Sequence, residues 1–342
     1  MGKHLVTGGS GFLGNLIANR LLEEGEEVTN LDIWRDESQN AGIRFVQADI
    51  RNRKAVLGAM RGIDVVHHNV ALVPLTKAGK DFWSVNVEGS QIAAESALKS
   101  GVKKFIHMSS SAIFGVPQEL PITNATKSRP VEIYGRGKLA GELAVTRTLQ
   151  NSGVDLTIIR PRTILGEGRL GIFQVLFEWI SEGRDIYTIG NGEGLFQFVH
   201  AHDLMAAYMK TLESNQPGIY NVGTENYGSL KEALETLIIH ANSKSKIRKL
   251  PEKTSIYALT ALDKLHLSPL APWHYKTFHK PFYFDLNPLI RLGWHSNYSN
   301  DRMLKESYDW FITNKDVDSS IAGSPHRRRV KEQALGLLKR FS

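Results

Sequence analysis

The chain has 342 residues, of which 42% are hydrophobic and 23% are charged, and it contains no cysteine. This composition is typical of a globular protein, and the lack of cysteine excludes disulfide bonds, thiolate nucleophiles and cysteine-ligated metal sites. No apolar run approaches the ~20 residues that a membrane-spanning helix needs. The chain starts with a strand-like stretch and no apolar signal segment, so the sequence predicts a cytoplasmic protein.

The net charge of +7 is concentrated at one end of the chain. Residues 326–342 contain six basic residues and one acidic residue, which gives +5 and leaves a nearly neutral body. Such a body argues against nucleic-acid binding, which usually needs a basic face on the folded domain. The tail also has an apolar stripe at helical spacing, formed by Val330, Ala334, Leu337, Leu338 and Phe341. It predicts a helix that either lies on an anionic membrane surface or docks on its own subunit.

Short β-rich runs alternate with helix-like stretches over the first half of the chain. Six runs have the pattern of buried strands: 4–8, 27–32, 43–49, 64–70, 103–110 and 155–161. Apolar strands that alternate with helices are typical of a parallel sheet covered on both faces. The sequence therefore predicts an α/β fold with a doubly wound parallel sheet of the Rossmann type, and residues 1–165 as its cofactor-binding domain.

The pattern changes after residue 165. A helix is predicted around Phe173, Leu176, Phe177 and Ile180, followed by strands near 187–190 and 196–200, a helix over 203–213 and a strand at 219–223. Residues 229–315 are predicted to be irregular, with a helix at their end. We expect 166–315 to form a smaller, mixed substrate-binding lobe with returns to the main sheet, and 316–342 to form a linker and the basic tail.

A glycine-rich loop follows the first strand. Gly8, Gly11 and Gly14 are spaced three apart, between a strand and a helix. Glycines let the backbone N–H groups approach a pyrophosphate at the positive end of the helix. Asp32 ends the next strand, 18 residues after Gly14. A carboxylate at this position accepts hydrogen bonds from the ribose hydroxyls and repels a 2′-phosphate. The loop therefore predicts a dinucleotide site that prefers NAD to NADP.

Two Tyr-x-x-x-Lys patterns compete for the role of proton-transfer group. In Tyr134-x-x-x-Lys138, residues four apart share a helix face, so the ammonium favours the phenolate and lowers the phenol's pKa. This pair follows a strand that ends in serines at positions 109–111. Tyr227-x-x-x-Lys231 has no such strand before it. We therefore predict Tyr134 as the acid/base and treat the second pair as incidental.

Several segments together resemble the extended short-chain dehydrogenase/reductase superfamily, in its epimerase/dehydratase-like branch. These segments are TGGSGFLG, DI after the third strand, NVEGS, SSSAIFG, YGRGK, RPRTILGEG, FVHAHDL and the late LGW, over residues 7–294. The resemblance implies the Rossmann fold, hydride transfer with NAD, and dimers formed through two helices. A homodimer is therefore expected.

The resemblance also assigns the site residue by residue. Counting back five from Gly115 places the catalytic hydroxyl at Ser110, with Ser111 as the alternative, beside Tyr134 and Lys138. Lys138 would also bind the nicotinamide ribose. The implied cofactor-binding residues are Gly8, Gly11, Phe12, Leu13, Asp32, Asp49, Ile50, Val70, Ala71, Leu72, Pro161 and Thr163, with Tyr134 and Lys138.

The sequence disfavours one of the reactions that members of this superfamily catalyse. Resembling dehydratases carry Asp-Glu directly after the residue equivalent to Ser110, whereas this chain has Ser111 and Ala112, so dehydration is disfavoured. We expect epimerisation or oxidation/reduction of a nucleotide-sugar carbinol. The alternatives are a 3β-hydroxysteroid- or lipid-type alcohol dehydrogenase, and a non-catalytic NAD-binding scaffold or regulator. No metal site is expected, because His200-x-His202-Asp203 falls at a structural strand-to-helix turn of the family.

Overall fold

The structure is a computed structural model, and it describes residues 2–73, 79, 81–265, 267, 268, 270 and 272–315. The linker and the basic tail predicted over 316–342 lie outside the described residues. No helix in the described ranges is both long enough and apolar enough to cross a membrane.

Seven parallel strands form the main sheet, in the order β11-β6-β5-β4-β1-β2-β3. This is the predicted doubly wound α/β fold. All six neighbouring pairs run in the same direction. The main-sheet strands are β1 (Lys3–Thr7), β2 (Glu27–Asp32), β3 (Arg44–Gln47), β4 (Val65–His68), β5 (Lys104–Met108), β6 (Asp155–Pro161) and β11 (Gly218–Val222). The last of them is the strand predicted at 219–223, which returns to the sheet from the second half of the chain.

Helices cover both faces of this sheet. The helices of the described residues, of which the later ones belong to the second lobe, are α1 (Phe12–Glu23), α2 (Arg53–Ala59), α3 (Asp81–Trp83), α4 (Ser90–Ser100), α5 (Ile133–Leu149), α6 (Phe173–Ser181), α7 (Ala201–Glu213), α8 (Leu230–His240), α9 (Glu252–Lys264), α10 (Pro272–Thr277), α11 (Asn287–Ile290) and α12 (Asn300–Asn314). Successive strand residues point to opposite faces, so Leu5 packs with α2, α4 and α5 whereas Val6 packs with α1 and α7. The two faces therefore have separate cores.

The second lobe is built from three short strand pairs and the later helices. The remaining strands are β7 (Thr163–Leu165), β8 (Ile186–Ile189), β9 (Leu195–Phe196), β10 (Phe198–His200), β12 (Gly228–Ser229) and β13 (Ile247–Leu250), paired as β10-β7, β12-β9 and β13-β8. The prediction that 229–315 is irregular before its last helix is wrong. Helices α8 to α11 lie there, and α8 begins at a capping box in which Ser229 and Glu232 bond each other's backbone N–H groups.

Two pairs of buried histidines lie on opposite faces of the main sheet, His4 with His67 and His68 with His107. His67 bonds His4 at 2.8 Å and the Tyr208 hydroxyl at 2.6 Å. The two ring nitrogens of His68 bond Thr7 and Ser90, and its ring stacks on His107 with the centroids 5.5 Å apart. These side chains are packed core groups, as expected for histidines that end a buried strand.

The carboxyl ends of the parallel strands meet at one edge of the sheet. The chain passes from β3 at one side to β4 on the far side of β1, so the loops after β1 and β4 diverge there. This switch point is where doubly wound sheets bind ligands. The segments after β1, β2, β4, β5 and β6 all open onto it, which places the predicted site residues close together.

Candidate active site

A cavity of about 480 Å³ lies at this edge of the sheet, between the main domain and the second lobe. Every site residue predicted from the sequence lines it. They are Gly8, Gly11, Phe12, Leu13, Asp32, Asp49, Ile50, Val70, Ala71, Leu72, Ser110, Tyr134, Lys138, Pro161 and Thr163. The structure thus brings these residues together around one space, and their individual roles stay predictions.

The glycine loop forms one end of the cavity. Gly8 has a φ of +70°, which favours glycine, and a Cβ at Gly14 would lie 2.1 Å from the Gly8 carbonyl oxygen. The loop can therefore pack closely against α1 only because side chains are missing. No side chain caps the first turn of α1 at Gly11, which leaves its N–H groups available to an anion. This cradle fits the diphosphate of a dinucleotide.

Asp32 lies beside this loop, at the end of β2. Its carboxylate accepts hydrogen bonds from the backbone N–H of Ser10 at 3.1 Å and of Ile33 at 2.7 Å. Burial raises the pKa of Asp32, and these backbone donors oppose that rise. The carboxylate is thus fixed where it faces the cavity, a position that fits the ribose hydroxyls. Asp49 is held differently, because Arg51 pairs with it at 2.6 Å and lowers its pKa.

Asn86, in the NVEGS segment, fixes the turn after β4. Its side-chain oxygen accepts the Leu72 N–H at 2.8 Å, and its amide nitrogen donates to the Leu72 carbonyl at 3.1 Å. Asn86 is buried in a π-helical turn, Ser84–Gly89, that precedes α4. The Asn86 amide therefore bonds both backbone groups of Leu72, as a neighbouring strand would, and holds the segment from Val70 to Leu72 beside the cavity.

The three serines after β5 have three different partners. Ser109 donates to Glu142 Oε2 at 2.5 Å, and Ser111 accepts a hydrogen bond from Arg162 Nη1 at 3.1 Å. Ser110 caps a short 3₁₀ turn by accepting the Ala112 N–H at 3.2 Å, and its hydroxyl also bonds the phenol of Tyr134. Of the three, Ser110 is therefore the one that shares the cavity with the phenol.

Tyr134 lies in the first turn of α5. The carboxylate of Glu132 caps this helix by accepting the N–H groups of Tyr134 and Gly135, both at 2.7 Å, which fixes where the phenol emerges. Burial raises the pKa of Tyr134, while the Ser110 hydrogen bond and the charge of Arg169 lower it. The phenol is therefore more basic than a free tyrosine in this state, and two neighbours already favour its ionised form.

Lys138 lies one turn after Tyr134 and is buried. Its ammonium donates to the Met108 carbonyl oxygen at the end of β5. Burial lowers the pKa of Lys138 to about 8, and the charge of Glu142 opposes this effect. The groups that lower the pKa of Tyr134 here are Ser110 and Arg169, so the predicted lowering by Lys138 stays a prediction.

The opposite end of the cavity contains residues that the sequence did not assign. Arg162 and Phe278 line it, together with Trp273 and His274 from α10. Arg169 also lines it, with its guanidinium 5.1 Å from the Phe12 ring centroid. Which side chains reach this end depends on how the second lobe packs on the main domain.

The incidental motifs have other roles in the fold. Tyr227 stacks on Tyr283 with the ring centroids 5.2 Å apart and does not line the cavity. His200 caps α7, and Asp203 accepts the backbone N–H groups of Asn297 and Tyr298, both at 3.0 Å. The His-x-His-Asp segment thus joins the β10–α7 turn to the loop before α12.

Comparison with known proteins extends this description. Residues 4–223 match the model of the NAD dependent epimerase/dehydratase family. The chain is 40% identical to the uncharacterized protein y4nG of Sinorhizobium fredii, over 98% of this chain and 85% of that protein. It is 26% identical to the probable UDP-arabinose 4-epimerase 3 of Arabidopsis thaliana, over 85% and 79% of the two chains. It is 31% identical to the mouse decarboxylating sterol-4-alpha-carboxylate 3-dehydrogenase, over 60% of each.

A solved structure shows the same fold. It is the UDP-glucuronic acid 4-epimerase from Bacillus cereus, in complex with UDP-glucuronic acid and NAD. The TM-score is 0.74 with 21% sequence identity, and the match covers 91% of this chain and 99% of that one. At this identity the likeness concerns the architecture.

Proposed function

The chain belongs to the NAD dependent epimerase/dehydratase family, and from that premise we propose that it epimerises or oxidises a carbinol of a nucleotide sugar. The observation that carries the proposal is the shared cavity. Ser110, Tyr134 and Lys138 face the same space as the glycine loop, so a proton-transfer group and a dinucleotide cradle lie side by side. This arrangement also argues against a purely regulatory NAD-binding protein, which needs no such phenol.

NAD is the cofactor of the family, and when bound it supplies the oxidant and the reductant for the carbinol carbon. The glycine loop would hold its diphosphate, and Asp32 its adenine-ribose hydroxyls. Pro161 and Thr163 line the cavity where the resemblance places the carboxamide. Lys138 would bind the second ribose.

The chain's own residues handle the proton. Tyr134 would take the hydroxyl proton as the carbinol is oxidised and return it when the carbonyl is reduced. Ser110, already bonded to the phenol, would hold the same substrate oxygen and so fix its distance from Tyr134. Lys138 would keep a positive charge below the phenol that favours the ionised form.

The cavity wall after Ser110 lacks the acidic and basic groups that dehydration needs. The position after Ser110 is Ser111, whose oxygen is bonded by Arg162, and the next is the apolar Ala112. Neither supplies the acid and base that expulsion of water requires. The acidic residues that line the cavity in the described chain are Asp32, Asp49 and Asp81, and Asp32 and Asp49 lie at the dinucleotide end. We therefore favour reactions that need only one proton-transfer group.

A sterol- or lipid-type alcohol dehydrogenase is the second candidate. The mouse sterol dehydrogenase is more identical to this chain than the Arabidopsis epimerase, although over a shorter length. Aromatic and aliphatic residues at the substrate end, such as Trp273, Phe278 and Ile172, also suit an apolar ligand. The two candidates differ in what occupies that end.

The test uses the full-length protein loaded with NAD. UDP-, GDP- and CDP-sugars and a 3β-hydroxysteroid are added in turn, with NADH absorbance and binding calorimetry as the readouts. We expect a nucleotide sugar to bind, with transient NADH if the product is an epimer and accumulating NADH if the reaction is a net oxidation. Turnover of the steroid with no response to any sugar would reverse the order of the two candidates.

A further inference from the structure

Arg162 has a buried guanidinium without an acidic partner. It lies between β6 and β7 and is 2% exposed, with its charge 3.8 Å from the Phe282 ring centroid and 4.7 Å from that of Phe196. Nε donates to the Gln197 carbonyl at 2.8 Å, and Nη1 donates to Ser111. Nη2 has no hydrogen-bond partner among the described residues. The charge is therefore desolvated but not neutralised.

Arg160, two residues earlier and inside β6, is a buried arginine that does have an acidic partner. It is also buried and also lies over an aromatic ring, Phe114 at 5.4 Å, but its guanidinium is paired with the carboxylate of Glu142. A buried charge lowers the stability of the folded state unless an opposite charge is paired with it. In the described chain, Arg162 is in no ion pair, and burial lowers its pKa to about 9 without an opposing acid.

The charge of Arg162 is directed at the cavity through Ser111. Because the guanidinium donates to the serine oxygen, the serine's own hydrogen is free to donate to another group. Ser111 lines the cavity beside Ser110, which bonds Tyr134. The cavity wall beside Ser110 thus contains a hydrogen-bond donor, the Ser111 hydroxyl, which the buried Arg162 cation polarises.

A second arginine lines the cavity between the glycine loop and the phenol. Arg169 lines the cavity with its guanidinium 5.1 Å from the Phe12 ring centroid, and it interacts electrostatically with Tyr134. It forms no ion pair within the part of the chain that the structure describes. Of the acidic residues in the lining, Asp32 lies at the other end of the cavity, and Asp49 and Asp81 both pair with Arg51 there. Glu132, outside the lining, is the acid whose charge opposes that of Arg169 at Tyr134.

We propose that Arg162, acting through the Ser111 hydroxyl and together with Arg169, selects nucleotide sugars that carry a carboxylate on the carbon next to the reacting carbinol. This inference rests on the proposed function and names its substrate class. Ser111 and Arg169 contact the carboxylate, and Arg162 is a positioning residue. In a pyranose that reacts at C4, the carboxylate at C5 is adjacent, whereas the diphosphate at C1 lies across the ring. The position of Arg169 near Tyr134, and of Ser111 beside Ser110, therefore fits the carboxylate.

The experiment compares UDP-glucuronic acid, UDP-glucose and UDP on the NAD-loaded full-length protein. The first two differ only in whether C6 is a carboxylate, and UDP reports the diphosphate alone. Calorimetry gives the dissociation constants and initial rates give kcat and KM, for the wild-type chain and the variants Arg162→Met, Arg162→Lys and Ser111→Ala. Arg136→Met, an exposed arginine on α5 outside the cavity lining, is the control.

We expect the wild-type chain to prefer the uronate by about 10-fold or more in kcat/KM, as an added charge-assisted hydrogen bond predicts. Arg162→Met and Ser111→Ala lower this preference about 10-fold, mainly through KM for the uronate. Arg162→Lys restores part of it, and Arg136→Met does not change it. A misfolded protein cannot change one substrate's KM alone, and Ser111→Ala decides the question if Arg162→Met does not fold.

Two results overturn the inference while the proposed function stands. One is equal use of both sugars by the wild-type chain. The other is an equal loss of affinity for both sugars and for UDP in the variants, which would assign the arginines to the diphosphate. If no nucleotide sugar binds at all, the proposed function fails as well, and the panel of substrates described above shows this independently.

Discussion

At the scale of single residues, Ser109, Ser110 and Ser111 show where sequence reasoning reaches its limit. Three identical side chains follow one strand, and the family resemblance implied Ser110 as the catalytic hydroxyl with Ser111 as the alternative. In the structure Ser109 is hydrogen-bonded to Glu142 and Ser111 to Arg162, so Ser110 is the serine that interacts with the phenol of Tyr134. Glu142 lies in α5 and Arg162 lies after β6, both far along the chain from the serines, so a local sequence pattern does not predict these contacts. The same holds for Arg162, which resembles any other arginine in the sequence.

Replacing Ser110 by alanine should shift the pH profile. The Ser110 hydrogen bond lowers the pKa of Tyr134, so its loss raises that pKa and requires more alkaline solution to form the phenolate. We expect the rising limb of kcat/KM for carbinol oxidation to move up by about one pH unit, since one hydrogen bond is worth ~1 kcal/mol. Ser110→Thr keeps the hydroxyl and should keep the wild-type limb. An unmoved limb in the alanine variant would contradict this role for Ser110.

The two Tyr-x-x-x-Lys pairs provide a direct comparison. Tyr134→Phe removes the acid/base and should lower kcat by ~10²-fold or more. Tyr227 stacks on Tyr283 outside the cavity, so Tyr227→Phe should leave kcat within about twofold. Steady-state rates on the best substrate measure both. A larger loss at Tyr227 than at Tyr134 would mean that the wrong pair was chosen.

At the scale of helices and strands, the main sheet was accessible from the sequence and much of the second lobe was not. Buried parallel strands are continuous apolar runs, so all six predicted runs correspond to strands, with ends that differ by at most two residues. Helix α9 has no fully buried residue, and its apolar side chains at helical spacing, Ile256, Leu259 and Leu262, are only half-buried. The start of α8 has a clearer signal, Ser229 followed three residues later by Glu232, which the prediction of an irregular segment did not use.

The glycine loop makes a prediction at this scale. In Gly14→Ala the new methyl group would lie 2.1 Å from the Gly8 carbonyl oxygen, so α1 must move away from the loop. We expect a loss of NAD affinity of at least about 10-fold and a loss of stability of about 2 kcal/mol, measured by calorimetry and urea unfolding. The matched control is Gly58→Ala in α2, where a Cβ meets no atom within 4 Å. That change should stabilise the helix by about 0.5–1 kcal/mol, and equal effects at both sites would refute the loop argument.

At the scale of the whole molecule, the substrate end of the cavity needs both lobes. Trp273, His274 and Phe278 come from around α10 and reach the cavity across more than a hundred residues from Tyr134. Sequence patterns describe near neighbours, so they indicated the cofactor end, which is built from consecutive strand-loop units. The substrate end depends on how one lobe packs on the other, which patterns of near neighbours do not describe.

The expected homodimer also belongs to this scale. Helices α4 and α5 pack side by side, and each exposes a leucine: Leu98 is 41% exposed and Leu143 is 48% exposed. Paired apolar side chains on an outer helix surface suit an interface between two copies of the chain. We expect a dimer by sedimentation velocity, and a monomer after Leu98→Glu with Leu143→Glu. Ile239→Glu on α8, at a side chain 79% exposed, is the control and should leave the dimer intact.

The buried histidines of the main sheet set a lower limit to the acidity that the protein tolerates. Burial lowers the pKa of His67, His68 and His107, to about 3 for His68, and Lys104, Lys138 and Arg160 oppose protonation further. The unfolded chain takes up protons on these rings below pH ~6.5 and the folded chain does not, so stability falls as the solution becomes more acidic. At pH 5.5 the three rings together should cost about 4 kcal/mol of a total that is usually 5–15 kcal/mol. Urea midpoints at pH 7.5 and 5.5 measure this, and equal midpoints would contradict it. A mild acid shift would therefore weaken the whole fold through buried rings of the sheet that do not line the dinucleotide site.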